Sequence, residues 1–137
     1  MKKYSFLLVF LYINIAFAQQ KPLKEFEKFG HHIISLAFTP DCRYVATGGM
    51  DNNIYLWDVA TGTELITFKG HTDWVVSLAI DYDSKYIVSG SKDKTARIWD
   101  IKSGQQTAIL KGHEGTVASV VFSYDNSLIA TGCKDGK

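Results

Sequence analysis

Four short segments of this 137-residue chain carry side chains that could do chemistry. His31-His32 offers two imidazoles, a common metal ligand. No Cys, His, Asp or Glu falls around them at zinc spacing, and adjacent strand residues point to opposite faces. Ser91-Lys92-Asp93-Lys94 has the S-x-x-K spacing of a lysine-assisted serine nucleophile. That serine must open a helix, whereas Ser91 sits among turn residues. Asp81-Tyr82-Asp83 and Asp51-Asn52-Asn53 cluster oxygen donors. Neither has the twelve-residue calcium loop with Gly at six and Glu at twelve. A Gly-rich phosphate loop is also missing. The residues therefore imply no catalytic site, no metal and no cofactor.

The elements that would position these groups are set by a repeat. Shifted by 42 residues, the chain aligns with itself: Ser35, Ser77 and Ser119; Gly48, Gly90 and Gly132; Asp51, Asp93 and Asp135. Trp57-Asp58 matches Trp99-Asp100. A period in the 40s marks an array of identical supersecondary units, each needing its neighbours to bury its apolar faces.

Each unit reads as four short strands. Ile33–Phe38, Val75–Ile80 and Val117–Phe122 are predicted as first strands, apolar at nearly every position. Sheets covered on both faces have that composition. Turns rich in Asp, Ser, Pro and Asn follow, as at 39–42, 81–84 and 123–126. Second strands are predicted at 43–48, 85–90 and 127–132, third strands at 53–57 and 95–99, and fourth strands at 63–68 and 105–110. Gly62 and Gly104 stand where a bulged hairpin needs a left-handed residue.

With Gly70-His71 preceding Trp99-Asp100 and Gly112-His113 opening a third unit, the chain resembles the WD40-repeat family of β-propellers. The resemblance implies an all-β fold, an incomplete propeller of four-stranded antiparallel blades. It divides the chain into a ring-closing strand of another blade at 19–28, repeats at 29–68 and 69–110, and a truncated repeat at 111–137. Leu23 and Phe26 align with Leu65 and Phe68, which places the 19–28 strand. The family pattern also implies a structural hydrogen-bonded network in each blade. Its members here are His71, Ser89, Asp93 and Trp99; then Thr47, Asp51 and Trp57; then His113, Thr131 and Asp135. Position 29, aligned with His71, is Phe, so the first blade is expected to lack its His unless a two-residue shift brings in His31. The family's partner-facing positions fall on Trp74, Val76 and Lys92; on His32, Ile34 and Met50; and on Thr116, Ala118 and Lys134. Trp74 has two readings, a loop residue folded over its own blade or an interface anchor.

The N-terminus carries its own signal. Lys2-Lys3, a 12-residue apolar run from Phe6 to Phe17, and Ala16-Phe17-Ala18 have the three-part order of a secretory signal peptide. A helical signal at 1–18 cleaved after Ala18 would make the mature chain secreted or periplasmic. Without Lys2 and Lys3 the chain holds 13 basic and 14 acidic residues, a net charge of −1. That balance excludes a basic nucleic-acid surface and a polybasic membrane patch. Cys42 and Cys133 lie at opposite ends of equivalent strands, too far apart for one disulfide. Free thiols, or a bond to a partner outside this segment, remain the readings.

Two and two-thirds units cannot close a ring that usually takes four to eight blades. The expectation is a fragment of a longer propeller, or several copies assembling into one. The function expected is a non-catalytic scaffold for a protein partner. The alternative is the N-terminal propeller of a larger secreted enzyme with its catalytic domain beyond residue 137.

Overall fold

A computed structural model describes residues 32–135, and the expected signal peptide, the strand at 19–28 and the alignment at Phe29 and His31 lie outside them. Ten strands occur among the described residues. The first sheet has β1 (Ile33–Phe38), β2 (Tyr44–Gly49), β3 (Ile54–Asp58) and β4 (Glu64–Phe68). The second has β5 (Val75–Ile80), β6 (Tyr86–Ser91), β7 (Ala96–Asp100) and β8 (Gln106–Leu110). β9 (Val117–Phe122) and β10 (Ile129–Cys133) form the third. Every pairing is antiparallel between sequence neighbours. The all-β architecture of four-stranded antiparallel blades is thus observed directly.

The turns show why each blade folds alike. Cys42, Ser84 and Asn126 adopt left-handed φ of 57°, 57° and 58°, closing the hairpin between first and second strands. In each, the amide of that residue donates to the carbonyl three residues earlier, as Cys42 to Thr39 at 2.8 Å. Side-chain oxygens then hold the next amides: Thr39 Oγ1 accepts from Tyr44, Asp81 Oδ1 from Lys85 and Tyr86, and Ser123 Oγ from Leu128. These contacts keep Arg43, Lys85, Ser127 and Leu128 in the turn. The second strands therefore start one or two residues later than the sequence suggests. They also extend to Gly49, Ser91 and Cys133, which pair with Ile33, Val75 and Val117. Third strands are likewise displaced by one residue, because Asn52 and Lys94 hold left-handed φ of 70° and 69° in the preceding turn.

The core lies between blades rather than within one. Ala46, Ile54, Leu56 and Phe68 of the first sheet bury against Val75, Leu78, Ile87 and Trp99 of the second. Val88 and Ala96, on the other face of that second sheet, meet Val117, Val120 and Phe122 of the third. Ile87 and Val88 are adjacent on β6, both 0 % exposed, and face opposite neighbours. A strand sandwiched in this way must be apolar on both faces, which explains the weak alternation in its sequence. Leu36 is 44 % exposed, while its counterparts Leu78 and Val120, each packed on the preceding blade, are 9 % and 6 % exposed.

Glycines and serines of the repeat make this approach possible. A Cβ on Gly48 would lie 2.6 Å from Val75 Cγ1, and one on Gly90 would lie 2.6 Å from the Val117 carbonyl oxygen. Neither position can carry a side chain without pushing the next blade away. Between the same sheets, the Ser35 hydroxyl reaches the Val75 carbonyl at 3.5 Å, and the Val120 amide donates to Ser77 Oγ at 3.1 Å.

Candidate functional site

His71, in the loop before β5, is the centre of a side-chain cluster that links a loop, a turn and two strands. Its Nδ1 lies 2.7 Å from Asp93 Oδ2 and its Nε2 lies 2.7 Å from Ser89 Oγ. Trp99 Nε1 donates to the same Ser89 Oγ at 2.8 Å. Asp93, in the turn between β6 and β7, also accepts from the Thr72 amide at 3.1 Å and from the Thr95 amide and hydroxyl. A carboxylate only accepts, so His71 Nδ1 carries the proton and donates. Nε2 then accepts from the Ser89 hydroxyl, whose oxygen accepts from the indole. Every buried polar atom is satisfied by this one assignment.

The electrostatics follow from burial. The His71 ring is fully covered, and desolvation lowers its pKa despite the Asp93 carboxylate beside it. Burial alone would raise Asp93, but hydrogen bonds from Thr95, His71 and the Thr72 amide outweigh it and bring the carboxyl to about 2. A neutral imidazole on an ionised carboxylate is the resulting state at neutral pH.

Asp93, His71 and Ser89 thus stand in the order of a charge-oriented serine nucleophile. Access decides against that chemistry. Ser89 is 0 % exposed, its oxygen is taken by Trp99, and Trp99 is 1 % exposed. A nucleophile has to reach a substrate carbonyl, and no path leads to this one. The cluster acts as a brace joining loop, turn and two strands, with the Trp99 ring packed edge-on against Phe68 and His71.

The other two blades hold variants of the brace. In the first, Trp57 Nε1 donates to Thr47 Oγ1 at 2.9 Å. Asp51 there accepts from the Tyr55 phenol and from the Asn53 amide. Tyr55 occupies the repeat position of Arg97, whose guanidinium lies 3.7 Å from Asp93. In the third, His113 Nε2 lies 2.8 Å from Thr131 Oγ1, while His113 Nδ1 and Asp135 Oδ2 are 3.9 Å apart. Asp135 accepts from the Glu114 amide at 2.7 Å.

The nine residues singled out as partner-facing lie along one rim. The Met50 amide donates to the His32 carbonyl, the Lys92 amide to Trp74 and the Lys134 amide to Thr116, at 3.0, 3.0 and 3.1 Å. The same bond therefore holds one loop residue against one turn residue in every blade. Ile34, Val76 and Ala118 are each skipped by the pairing register at the start of the first strand. Such bulges re-aim a side chain out of the ladder, a feature invisible in the sequence. Ile34 and Met50 are 40 % and 39 % exposed. His32, Ala118 and Lys134 are exposed, and Val76 and Thr116 are half-buried. Trp74 is half-buried with the Lys92 ammonium 3.3 Å from its ring centroid. Sequence reasoning placed these two residues together but gave no sign of the stacking.

Cys42 and Cys133 are both free thiols, the first exposed in a hairpin turn and the second half-buried at the end of β10. The inter-blade roles of Ser35, Ser77, Gly48 and Gly90 were signalled only by their periodic recurrence.

Comparison with known proteins agrees with this geometry. The WD40 family profile (WD domain, G-beta repeat) matches residues 20–58, 62–100 and 104–137. The chain is 50 % identical over 42 residues to the probable serine/threonine-protein kinase PkwA of Thermomonospora curvata, covering 31 % of this chain and 6 % of that one. It is 45 % identical over 47 residues to ribosome assembly protein 4 of Chaetomium thermophilum, covering 34 % and 9 %. Among solved structures, that of U3-55K superposes with a TM-score of 0.74 at 27 % identity, over 77 % of this chain and 34 % of that one. The chain therefore spans a small part of the curated relatives it matches. Its three matched segments, its 42-residue blades and their braces identify it as a member of the WD40 family of repeat proteins.

Proposed function

We propose that the chain is an exported, non-catalytic scaffold whose rim, carrying Trp74, Val76 and Lys92 at its centre, docks a protein partner. The observation that carries the reading is the Trp74–Lys92 stack, flanked by equivalent residues of both neighbouring blades. A large aromatic ring with a cation fixed on it is the composition of an interface anchor. The sealed state of Ser89 supports a structural role for the His71 cluster. To test the docking surface, the wild-type chain and the Trp74→Ala and Lys92→Glu variants are immobilised and exposed to the secreted or periplasmic fraction of the source cells. A partner held by wild type and lost from both folded variants supports the reading. Equal capture by all three defeats it.

Export belongs to the same proposal and rests on the Lys2-Lys3 start, the apolar run and Ala18. Mass spectrometry of the mature protein is expected to find Gln19 as its first residue. An intact Met1–Ala18 segment would contradict it. A natural polypeptide with further blades, or several copies sharing one ring, is also proposed. Leu36 and Val121, 44 % and 52 % exposed on outward sheet faces, support it. A compact, cooperatively melting monomer in sedimentation and melting experiments would count against it.

The second reading is a propeller attached to a larger exported enzyme. One relative that carries a matching repeat bears the name of a kinase, which favours it. Coding sequence past residue 137 discriminates the two: further 42-residue units support the scaffold, and a composition break followed by nucleophile and base motifs supports the enzyme.

A further inference from the structure

His113, Cys133 and Asp135 place one ring nitrogen, one sulfur and one carboxylate oxygen within 4.8 Å of one another. The second blade shows what the same backbone does without a thiol. Ser91 stands where the third blade has Cys133, and its hydroxyl donates to the Asp73 carbonyl at 2.9 Å. There the ring-to-carboxylate contact is closed at 2.7 Å, and both side chains are almost fully covered, at 0 % and 4 % exposure. In the third blade that contact is 3.9 Å, with the ring and carboxylate 16 % and 12 % exposed. The third blade therefore places a thiol beside a ring nitrogen and a carboxylate oxygen that are not closed on each other.

We propose that His113, Cys133 and Asp135 form a binding site for a divalent cation of the zinc type. Mixed nitrogen, sulfur and oxygen donors suit that borderline ion, and three protein ligands leave a fourth tetrahedral position for water. Ligand bonds of about 2.0–2.3 Å put tetrahedral donors roughly 3.3–3.6 Å apart, so contraction of up to about 1.5 Å closes the set. The outer contacts fit as well. With Nε2 turned to Thr131 Oγ1, His113 presents Nδ1 toward Asp135, and a ligating imidazole characteristically gives its other ring N–H to such a partner. The Asp135 amide lies 3.5 Å from Cys133 Sγ, and the Glu114 amide holds Asp135 Oδ2. On binding, the Cys133 thiol releases its proton to solvent, and the thiolate and carboxylate together neutralise the dication. No zinc motif in sequence has this spacing, because the His comes from the loop before β9 and the other two residues from the end of β10 and the turn after it.

Cobalt(II) titration of the chain, with zinc competition, tests the site. The expected result is a thiolate-to-cobalt charge-transfer band that saturates near one equivalent and is bleached by zinc. Cys133→Ser, which installs the residue of the second blade and so preserves the fold, should abolish the band. It should also weaken zinc binding at least about 100-fold, the upper end of what loss of even an outer partner costs. Cys42→Ser should leave both unchanged. A wild-type chain with no charge-transfer band, or a band that survives in Cys133→Ser, would overturn the proposal. Circular dichroism of each variant verifies that the strands are intact.

Discussion

The ammonium of Lys92 sits 3.3 Å from the ring centroid of Trp74, and the amide of Lys92 donates to the carbonyl of Trp74 at 3.0 Å. Two residues 18 apart in sequence are thus fixed to each other through both backbone and side chain. The bond recurs in all three blades, but the stack occurs in the second, where the loop residue is aromatic and the turn residue basic. A partner docked on this rim as proposed would find an aromatic surface already held in place, which would lower the entropy lost on binding.

Trp74→Ala should remove that anchor with little effect on folding, because the half-buried ring packs on the Lys92 side chain and belongs to neither core cluster. Truncation of an anchor typically costs at least about 2 kcal/mol of binding energy. Lys92→Glu should weaken binding as well, because it removes the cation stacked on the Trp74 ring. The cation–π contact itself is worth about 0.5–1 kcal/mol at an exposed site. Isothermal titration with the partner, beside thermal melting of each variant, separates the two effects. Loss of folding without loss of affinity would show that the pair is structural.

Ser89→Ala should be among the more damaging small changes in the chain. It removes the acceptor of Trp99 Nε1 and the partner of His71 Nε2 together. Each buried orphan costs about 1–3 kcal/mol. Trp99→Phe removes one donor but also vacates part of a fully buried indole, so its cost is one lost hydrogen bond plus a cavity term. Denaturant unfolding of the three proteins gives both costs. Equal stability of wild type and Ser89→Ala would mean the brace carries no load.

Acid should destabilise the fold in two stages. The folded pKa of His71 is depressed, so below the unfolded value of 6.5 the unfolded chain binds the extra proton first and stability falls with pH. Asp93 is depressed from 3.8 to about 2, and its contribution is intact above 3.8 and lost between those values. That second stage amounts to about 2 kcal/mol. Denaturant midpoints measured from pH 7.5 to 2.5 should decline first below about 6.5, and NMR should show the His71 ring resisting protonation at pH values where free imidazole titrates. A stability profile flat from pH 7 to pH 4 would contradict the first stage.

Much of this architecture was legible because each copy of the repeat corroborates the others. The Val, Ile and Phe runs mark β1, β5 and β9 at their observed bounds. The second strands were read one or two residues early, since side-chain oxygens of Thr39, Asp81 and Ser123 lengthen the turns before them. The third strands were read one residue early, since Asn52 and Lys94 hold left-handed φ in the turns before those; composition reveals neither. The bulges at Ile34, Val76 and Ala118 left no trace in the sequence, because a skipped residue changes pairing without changing residue type. His71, Ser89, Asp93 and Trp99 were grouped through family resemblance alone, since their spacing of 18, 4 and 6 residues matches no local pattern. The cluster at Cys133 went unread for the same reason: its members meet across strands, at distances that sequence spacing does not encode.

Unfolding free energies of Gly90→Ala and Gly132→Ala most directly test the claim that each sheet is stabilised by a copy packed on its face. The two glycines are equivalent in the repeat, yet an added Cβ at Gly90 would lie 2.6 Å from the Val117 carbonyl oxygen of the next blade, whereas at Gly132 its nearest neighbour is Ser119 Cβ at 3.6 Å. Overpacking of that kind costs about 1–3 kcal/mol, and an unobstructed change stays within about 0.5 kcal/mol. Gly90→Ala should therefore be destabilised by the larger amount and Gly132→Ala scarcely at all. Equal effects at the two positions in the monomeric 137-residue chain, where no following blade is present to crowd residue 132, would mean that the blades do not lean on one another.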